Sequence, residues 1–316
     1  MTDDESSRRA FLRYGAIGAA AALAGCQGDD GDDSPNGEQN GEENGDDNGT
    51  ENGETEEQDY SEAFDLAGDG AALFGEWLVP DNPWRVRENI TSICGFRDFE
   101  AEDAEGIDWM AARRDELSEI FQVDSAAFAG ELFVGDPGSS RERTIYFGEF
   151  DPEAIVETFE NAGTASQVDE YGEYLIIEGQ QGRGAVGPDA ILTLPIYDQY
   201  IDAKNGDSER LAETDEEVGH VLDVLPRGFQ LSLSRHSNLE DLAVNGSTFH
   251  DIEGRAPNRT TRAFVFHEEA DATVDRALEI IEIGQTGAEE VLTEEQHGRM
   301  VMIEYTQDWG GQEALR

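Results

Sequence analysis

The chain has 316 residues, of which 72 are Asp or Glu and only 21 are Lys or Arg, giving a formal net charge of −51. Nucleic acid is a poor partner for such a chain, because phosphates are held by Lys and Arg. Only one of the basic residues is a lysine, Lys204, and the two cysteines are Cys26 and Cys94.

The first 26 residues carry the most specific pattern. Ser7-Arg8-Arg9-Ala10-Phe11-Leu12-Arg13 precedes an uncharged run, 14–23, rich in Ala and Gly. That run is too short to cross a ~30 Å hydrocarbon core as a helix, which takes about 20 apolar residues. A basic start, a short apolar run and a small-residue exit are the parts of a signal peptide. The pair Arg8-Arg9 ahead of Phe11-Leu12 resembles the twin-arginine (Tat) export signal, whose substrates cross the membrane folded. Leu23-Ala24-Gly25-Cys26 resembles a lipobox, which implies cleavage before Cys26 and a diacylglyceryl group on its thiol. Two acyl chains, at about 0.8 kcal/mol per buried CH₂, hold a protein at a membrane surface. With Cys26 acylated, Cys94 has no partner for an intrachain disulfide. It lies between Ile93 and Gly95 and is expected to pack as a small hydrophobe.

Residues 27–62 alternate Gly, Asp, Glu and Asn, with no Lys or Arg. Such a segment has nothing to bury and is expected to be a disordered acidic stalk. It carries the sequon Asn48-Gly-Thr50. An acid-rich, almost Lys-free chain behind a Tat lipoprotein signal resembles the extracytoplasmic proteins of haloarchaea. In molar salt the Debye length falls to ~3 Å, and the self-repulsion is screened.

From residue 63 the composition turns globular. A short helix or lead-in over 71–84 places Trp77 and Trp84 on the core, and 89–99 reads as a strand. In 107–121, Met110, Leu117, Ile120 and Phe121 recur at helical spacing. Strands 127–134 and 143–149 follow, joined by the turn Gly135-Asp-Pro-Gly138. Asp151 and Pro152 open a helix as N-cap and first residue, and Asn161-Ala-Gly163 ends it. Strands 167–178 and 184–194 and a helix over 196–204 complete the first half. The second half offers a helix over 216–225 and a strand over 228–234 in which Phe229, Leu231 and Leu233 alternate. A polar connection to 258, strand 261–266, helix 271–283 and strands 289–293 and 299–306 follow.

Thr144–Phe147, Asp151–Phe159 and Tyr171–Glu178 match Ala263–Phe266, Asp271–Glu279 and His297–Glu304 in order and in character. The expectation is an α+β fold of two repeated α-β-β-α-β-β units, with mainly antiparallel sheets and helices packed on one face. The domains are then the signal at 1–26, the stalk at 27–62, and units at 63–210 and 211–316. The order also resembles haloarchaeal lipoproteins with a Tat signal, an acidic stalk and an Asp-Pro-Glu-x-Ile-Val helix before a Tyr-Gly-x-Tyr strand. That resemblance covers most of residues 1–210. It implies location and fold kinship and brings no activity with it.

No catalytic motif stands out. Gly182-Arg-Gly184-Ala-Val-Gly187 fits the dinucleotide pattern only on paper, since a strand rather than a helix follows. His236 and His250 flank the polar 235–259 stretch with Asp241, Asp251 and Glu253, and a metal site there is weighed against solvated loop histidines. Asp202, Asp207 and Glu209 around Asn205-Gly206 lack the ligand alternation of a calcium loop and read as a helix C-terminus. Asn245-Gly-Ser247 and Asn258-Arg-Thr260 are candidate glycosylation sites on the same stretch, and Asn89-Ile-Thr91 is a weaker one in a strand. No cofactor and no metal is expected. The body reads as a tethered, non-enzymatic module that binds a protein or solute, or serves the envelope. Its alternatives are a hydrolase with a site built from distant residues and a solute-capture protein. The partner that the sequence supports is the membrane, through the lipid anchor.

Overall fold

The computed structural model describes residues 60–80, 86–87, 90–101, 104, 107–134, 143–180, 182–252, 255–283 and 289–307. Arg8, Arg9, Cys26, the stalk up to residue 59 with Asn48, Trp84, Asn89, the 135–138 turn and Glu253 lie outside them, whereas Tyr60, near the expected end of the stalk, is buried in the core. The strands are β1 (Val86–Arg87), β2 (Ile90–Asp98), β3 (Phe128–Val134), β4 (Arg143–Gly148), β5 (Ala165–Tyr171), β6 (Tyr174–Gly179), β7 (Gly182–Val186), β8 (Ala190–Leu192), β9 (Gln230–His236), β10 (Leu242–Ile252), β11 (Arg255–Phe266), β12 (Glu290–His297) and β13 (Met300–Gln307). The α-helices among the described residues are α1 (Asp108–Phe121), α2 (Pro152–Ala162), α3 (Tyr197–Asn205), α4 (Leu211–Thr214), α5 (Glu216–Val224) and α6 (Val274–Ile283). 3₁₀ turns stand at Gly75–Trp77, inside the expected lead-in, and at Ser125–Ala127.

The strands join into one antiparallel sheet in the order β12-β13-β11-β10-β9-β2-β3-β4-β8-β7-β6-β5, with β1 on β2. The α+β class and the antiparallel pairing are as expected. β2 of the first half pairs with β9 of the second, so the sheet runs unbroken past residue 210. Asp59–Arg316 is accordingly one compact unit.

The helices do not all pack on one face, and the strand sequences say why. In β4, Ile145 and Phe147 join one core with α3, α4 and α5, while Tyr146 joins another with α1 and α2. In β13, Met300 and Met302 join the first core, and Val301, Ile303 and Tyr305 pack with α6. Neighbours on a strand point to opposite faces, so one face carries α3–α5 with residues 60–79, and the other carries α1, α2 and α6. A sheet covered on both sides needs apolar residues at both parities. Hence β4, β8 and β13 are buried almost throughout.

Three expected elements change, the first being the strand expected over 184–194, which is two strands, β7 and β8, antiparallel to each other. The strand expected over 167–178 is the hairpin β5–β6, with Tyr171 opposite Tyr174 around Gly172-Glu173. Gly172 has φ 60° and opens a two-residue turn, which the twist of paired strands favours. The polar connection expected to reach 258 is mostly β10 and β11, a long hairpin. The helix starts hold better. The Asp151 carboxylate accepts from the Ala154 N–H at 3.1 Å, and Gly163 closes the helix at φ 65°.

Candidate functional site

Between the area covered by α1 and the area covered by α6, the sheet presents a polar strip. It is built from β2, β9, β10 and β11, and register alone places its residues. Residues opposite one another on paired strands share a face. Arg262 lies opposite Ser247, Ser247 opposite Ser232, and Ser232 opposite Gly95. One step along, Phe264 is followed by Asn245, Ser234 and Ser92. One step the other way come Thr260, Phe249, Gln230 and Arg97. Phe264 packs with α6, and Phe249 belongs to the α1–α2 core, so the strip shares their face. α5, the helix that crosses β10 and β11, sits on the opposite face with Leu231, Leu233 and Val244.

The strip is sunk rather than fully open. Asn245, Ser247 and Thr260 are buried, and Gln230, Ser232, Ser234, His236 and Arg262 are half-buried. The Ser234 hydroxyl donates to Asn245 Oδ1 at 2.8 Å, and His236 Nε2 stands 3.4 Å from the same hydroxyl. Burial pushes the His236 imidazole below its ordinary pKa, and the Arg262 charge lowers it further, while a hydrogen bond with Asn245 offsets part of the shift. His236 is therefore neutral near pH 7. The Nε of Arg262 is enclosed and meets no acceptor among the described residues.

Beside the strip, Glu131 on β3 is fully buried and takes Arg97 Nη1 at 2.6 Å and Arg113 Nη2 at 3.0 Å. The Arg97 guanidinium also lies over Trp109 and Phe133. This cluster pins α1 to the sheet. On the opposite face, the lone lysine, Lys204, meets Asp189 at 2.5 Å and lies over Trp77 and Tyr174, a second clamp.

The residues singled out in the sequence are mostly dispersed. His236 faces the strip, but His250 points to the other side, 3.5 Å from Thr261 Oγ1. Asp241 is held by Arg276 through bonds of 2.6 and 3.0 Å, which keep its carboxyl below the usual range. The metal site considered around 235–259 is therefore not assembled: strand alternation splits its histidines, and an arginine claims one acid. No group of three or more potential ligands gathers among the described residues. Asp202 accepts the Tyr171 hydroxyl at 2.6 Å, which holds that phenol up to about 12. Its carbonyl takes the Asp207 N–H, and Gly206 caps α3 at φ 75°, as a helix C-terminus requires. Gly182 to Val186 is β7, and β8 follows it. Cys94 is buried in β2, and burial raises its thiol pKa, so it stays protonated.

The placement of two sequons on a loop is corrected. Asn245 sits within β10 at 5 % exposure, too enclosed to carry a glycan on the folded chain. Asn258 lies in β11, opposite Gln307 of β13. Arg262, Ser232, Ser247 and Gln230 were not legible as a site. Their one trace was the Leu/Ser alternation of β9.

Chemically the strip can hold a polar solute, and it lacks the arrangement of a hydrolytic triad. Ser234 gives its proton to Asn245 rather than to His236, and the charge acting on His236 is that of Arg262 rather than of a carboxylate. Elsewhere, an open depression of about 590 Å³ is lined by Glu160, Thr164, Ser166 and Glu178 among others.

No family model and no curated protein matches the chain. Solved structures of the protein TP0453 are similar to it at low level. Crystal form I gives a TM-score of 0.36 at 9 % identity, covering 73 % of this chain and 92 % of that one. Form III gives 0.38 at 8 %, covering 69 % and 89 %. Similarity at this level carries no functional information. No helix of the described residues is long and apolar enough to cross a membrane.

Proposed function

We propose that this chain is an exported lipoprotein of a high-salt organism, tethered through Cys26, whose body binds a solute on the polar strip of its sheet. One observation carries the binding reading. On the face shared with α1 and α6, β9, β10 and β11 set Ser, Asn, Gln and Arg side by side between two apolar cores, where the enclosed Arg262 Nε and Thr260 hydroxyl meet no partner among the described residues, at a cost in stability. Such a cost is retained where the groups serve a ligand. The export and anchoring part rests on the order Arg8-Arg9, apolar run, Leu23-Ala-Gly-Cys26. It is tested by Cys26→Ser. The variant should leave the membrane fraction for the soluble one, and a variant that still sediments with membranes rules out the lipid anchor.

We also infer that the body is a duplication, read outward from the β2–β9 pair. β4, α2 and the hairpin β5–β6 correspond to β11, α6 and the hairpin β12–β13. Both hairpins turn on a glycine with positive φ, Gly172 at 60° and Gly298 at 52°. Both end the sheet, and β7–β8 is then an insertion in the first copy. A superposition of the two halves that leaves α2 and α6 apart would sink this inference.

A further inference from the structure

The proposed binding reading leaves the ligand's chemistry open, and Arg262 narrows it. Most arginines with described side chains are claimed by carboxylates, among them Arg113 by Glu131, Arg227 by Asp98 and Arg276 by Asp241. Arg262 forms no ion pair with a described carboxylate, although 72 acids are available. On the β10 side its neighbours are neutral and small, and on the β13 side it faces Ile303. Ser247 stands directly opposite, and Asn245 and Ser234 lie one step along the same face. Thr260, two residues back on β11, has a buried hydroxyl with no partner among the described residues.

A half-buried guanidinium whose enclosed Nε meets no acceptor among the described residues is an incomplete site. It carries five donors in a rigid fork and has no lone pair to offer. The complement of that fork is a planar or tetrahedral oxyanion, held by two parallel N–H···O bonds. Hydroxyls and an amide around it supply further donors to the remaining oxygens. A carboxylate from the protein itself would have closed the site. None of the described ones does, which leaves the fork open to an acceptor from beyond the described residues.

We propose that the strip binds an oxyanion, carboxylate or phosphate, with Arg262 as its charged anchor and the Ser247 hydroxyl and the Asn245 side-chain NH₂ as neutral donors beside it. The net charge of −51 opposes this at long range and sets the conditions under which it works. In molar salt a Debye length of ~3 Å removes the distant repulsion, while contact-range bonds to a half-buried arginine survive. Binding is therefore short-ranged and depends on fit rather than on steering. The same oxyanion chemistry is found in free anions and in the headgroups of acidic phospholipids, which the tether would bring close.

The proposal rests on the binding reading, and the experiment separates the two. Side-chain and amide NMR shifts of the folded body are followed in molar potassium chloride while inorganic phosphate, acetate, trehalose or vesicles of phosphatidylglycerol are added. Phosphate or acetate should move the Arg262 Nε–H signal and the amides of 232, 234 and 247 saturably. Arg262→Gln should weaken that binding at least tenfold, and Arg262→Lys should weaken it less, since charge is kept and the fork is lost. Shifts with phosphatidylglycerol vesicles but with neither free anion keep the oxyanion and assign its source to lipid. Movement of the strip by trehalose alone overturns the oxyanion proposal and leaves the binding reading standing. If no probe moves the strip, both are overturned. Should Arg262→Gln fail to fold, the wild-type Nε–H response decides alone, because an anchor that never shifts is no anchor.

Discussion

Glu131 shows at the scale of one residue how this chain handles charge. With acids so abundant, a carboxylate has no reason to be buried unless cations are waiting for it. Glu131 is fully buried, and Arg97 from β2 and Arg113 from α1 meet it at 2.6 and 3.0 Å. Removing one member of a buried pair strands the others and costs about 3–5 kcal/mol. Glu131→Gln should therefore lower the unfolding free energy by that amount, read in chemical unfolding as a lower midpoint at unchanged slope m. A loss below 1 kcal/mol would mean the arginines find water instead. None of this was visible in the sequence, where Glu131 was one acid among many. Arg262 was hidden for the mirror reason: an arginine reveals nothing until the strand opposite it is known.

At the scale of elements, legibility followed the strength of local chemistry. α2 was read with its cap, its proline and its closing glycine, because those residues act within one turn of each other. β10 was missed because Asn245, Gly246, Ser247 and His250 look like a loop. The structure gives each a strand role. Asn245 and Ser247 line the strip, and Gly246 lets α5 approach the other face. A methyl group at 246 would fall within contact distance of Val221 and Leu225. Gly246→Ala should cost about 1–3 kcal/mol, the range for overpacking a filled core, and thermal unfolding of the variant checks it. A variant as stable as the parent would show that α5 moves away freely. The site itself could not be read, because its residues come from four strands that only register brings together. The sheet ends were half legible. β5 carries Asp169 and Glu170, and β12 carries Glu290, Glu294 and Glu295, which repel other edges. Register shifts beside Val168 and Leu292 break the edges as well. A bulge keeps its effect when salt has screened the charges.

For the whole molecule, the balance of charge and burial sets the solvent in which the fold is stable. One sheet carries cores on both faces, yet the chain around them holds a net charge of −51. Hydrophobic burial favours the compact state, and self-repulsion opposes it over the range that salt allows. At about 0.1 M that range is ~10 Å, so neighbouring surface acids all act on one another; at about 1 M it is ~3 Å, and they do not. The melting temperature of the body should rise steeply with potassium chloride. Transfer to tenth-molar salt should lower it by roughly 10 °C or more, which is several kcal/mol for a domain of this size. Sucrose at equal osmolality should recover only part of the loss, since it strengthens burial without screening charge. A melting temperature that stays flat across this range would show that the acids are dispersed too widely to oppose folding. The acidity would then answer to solubility alone.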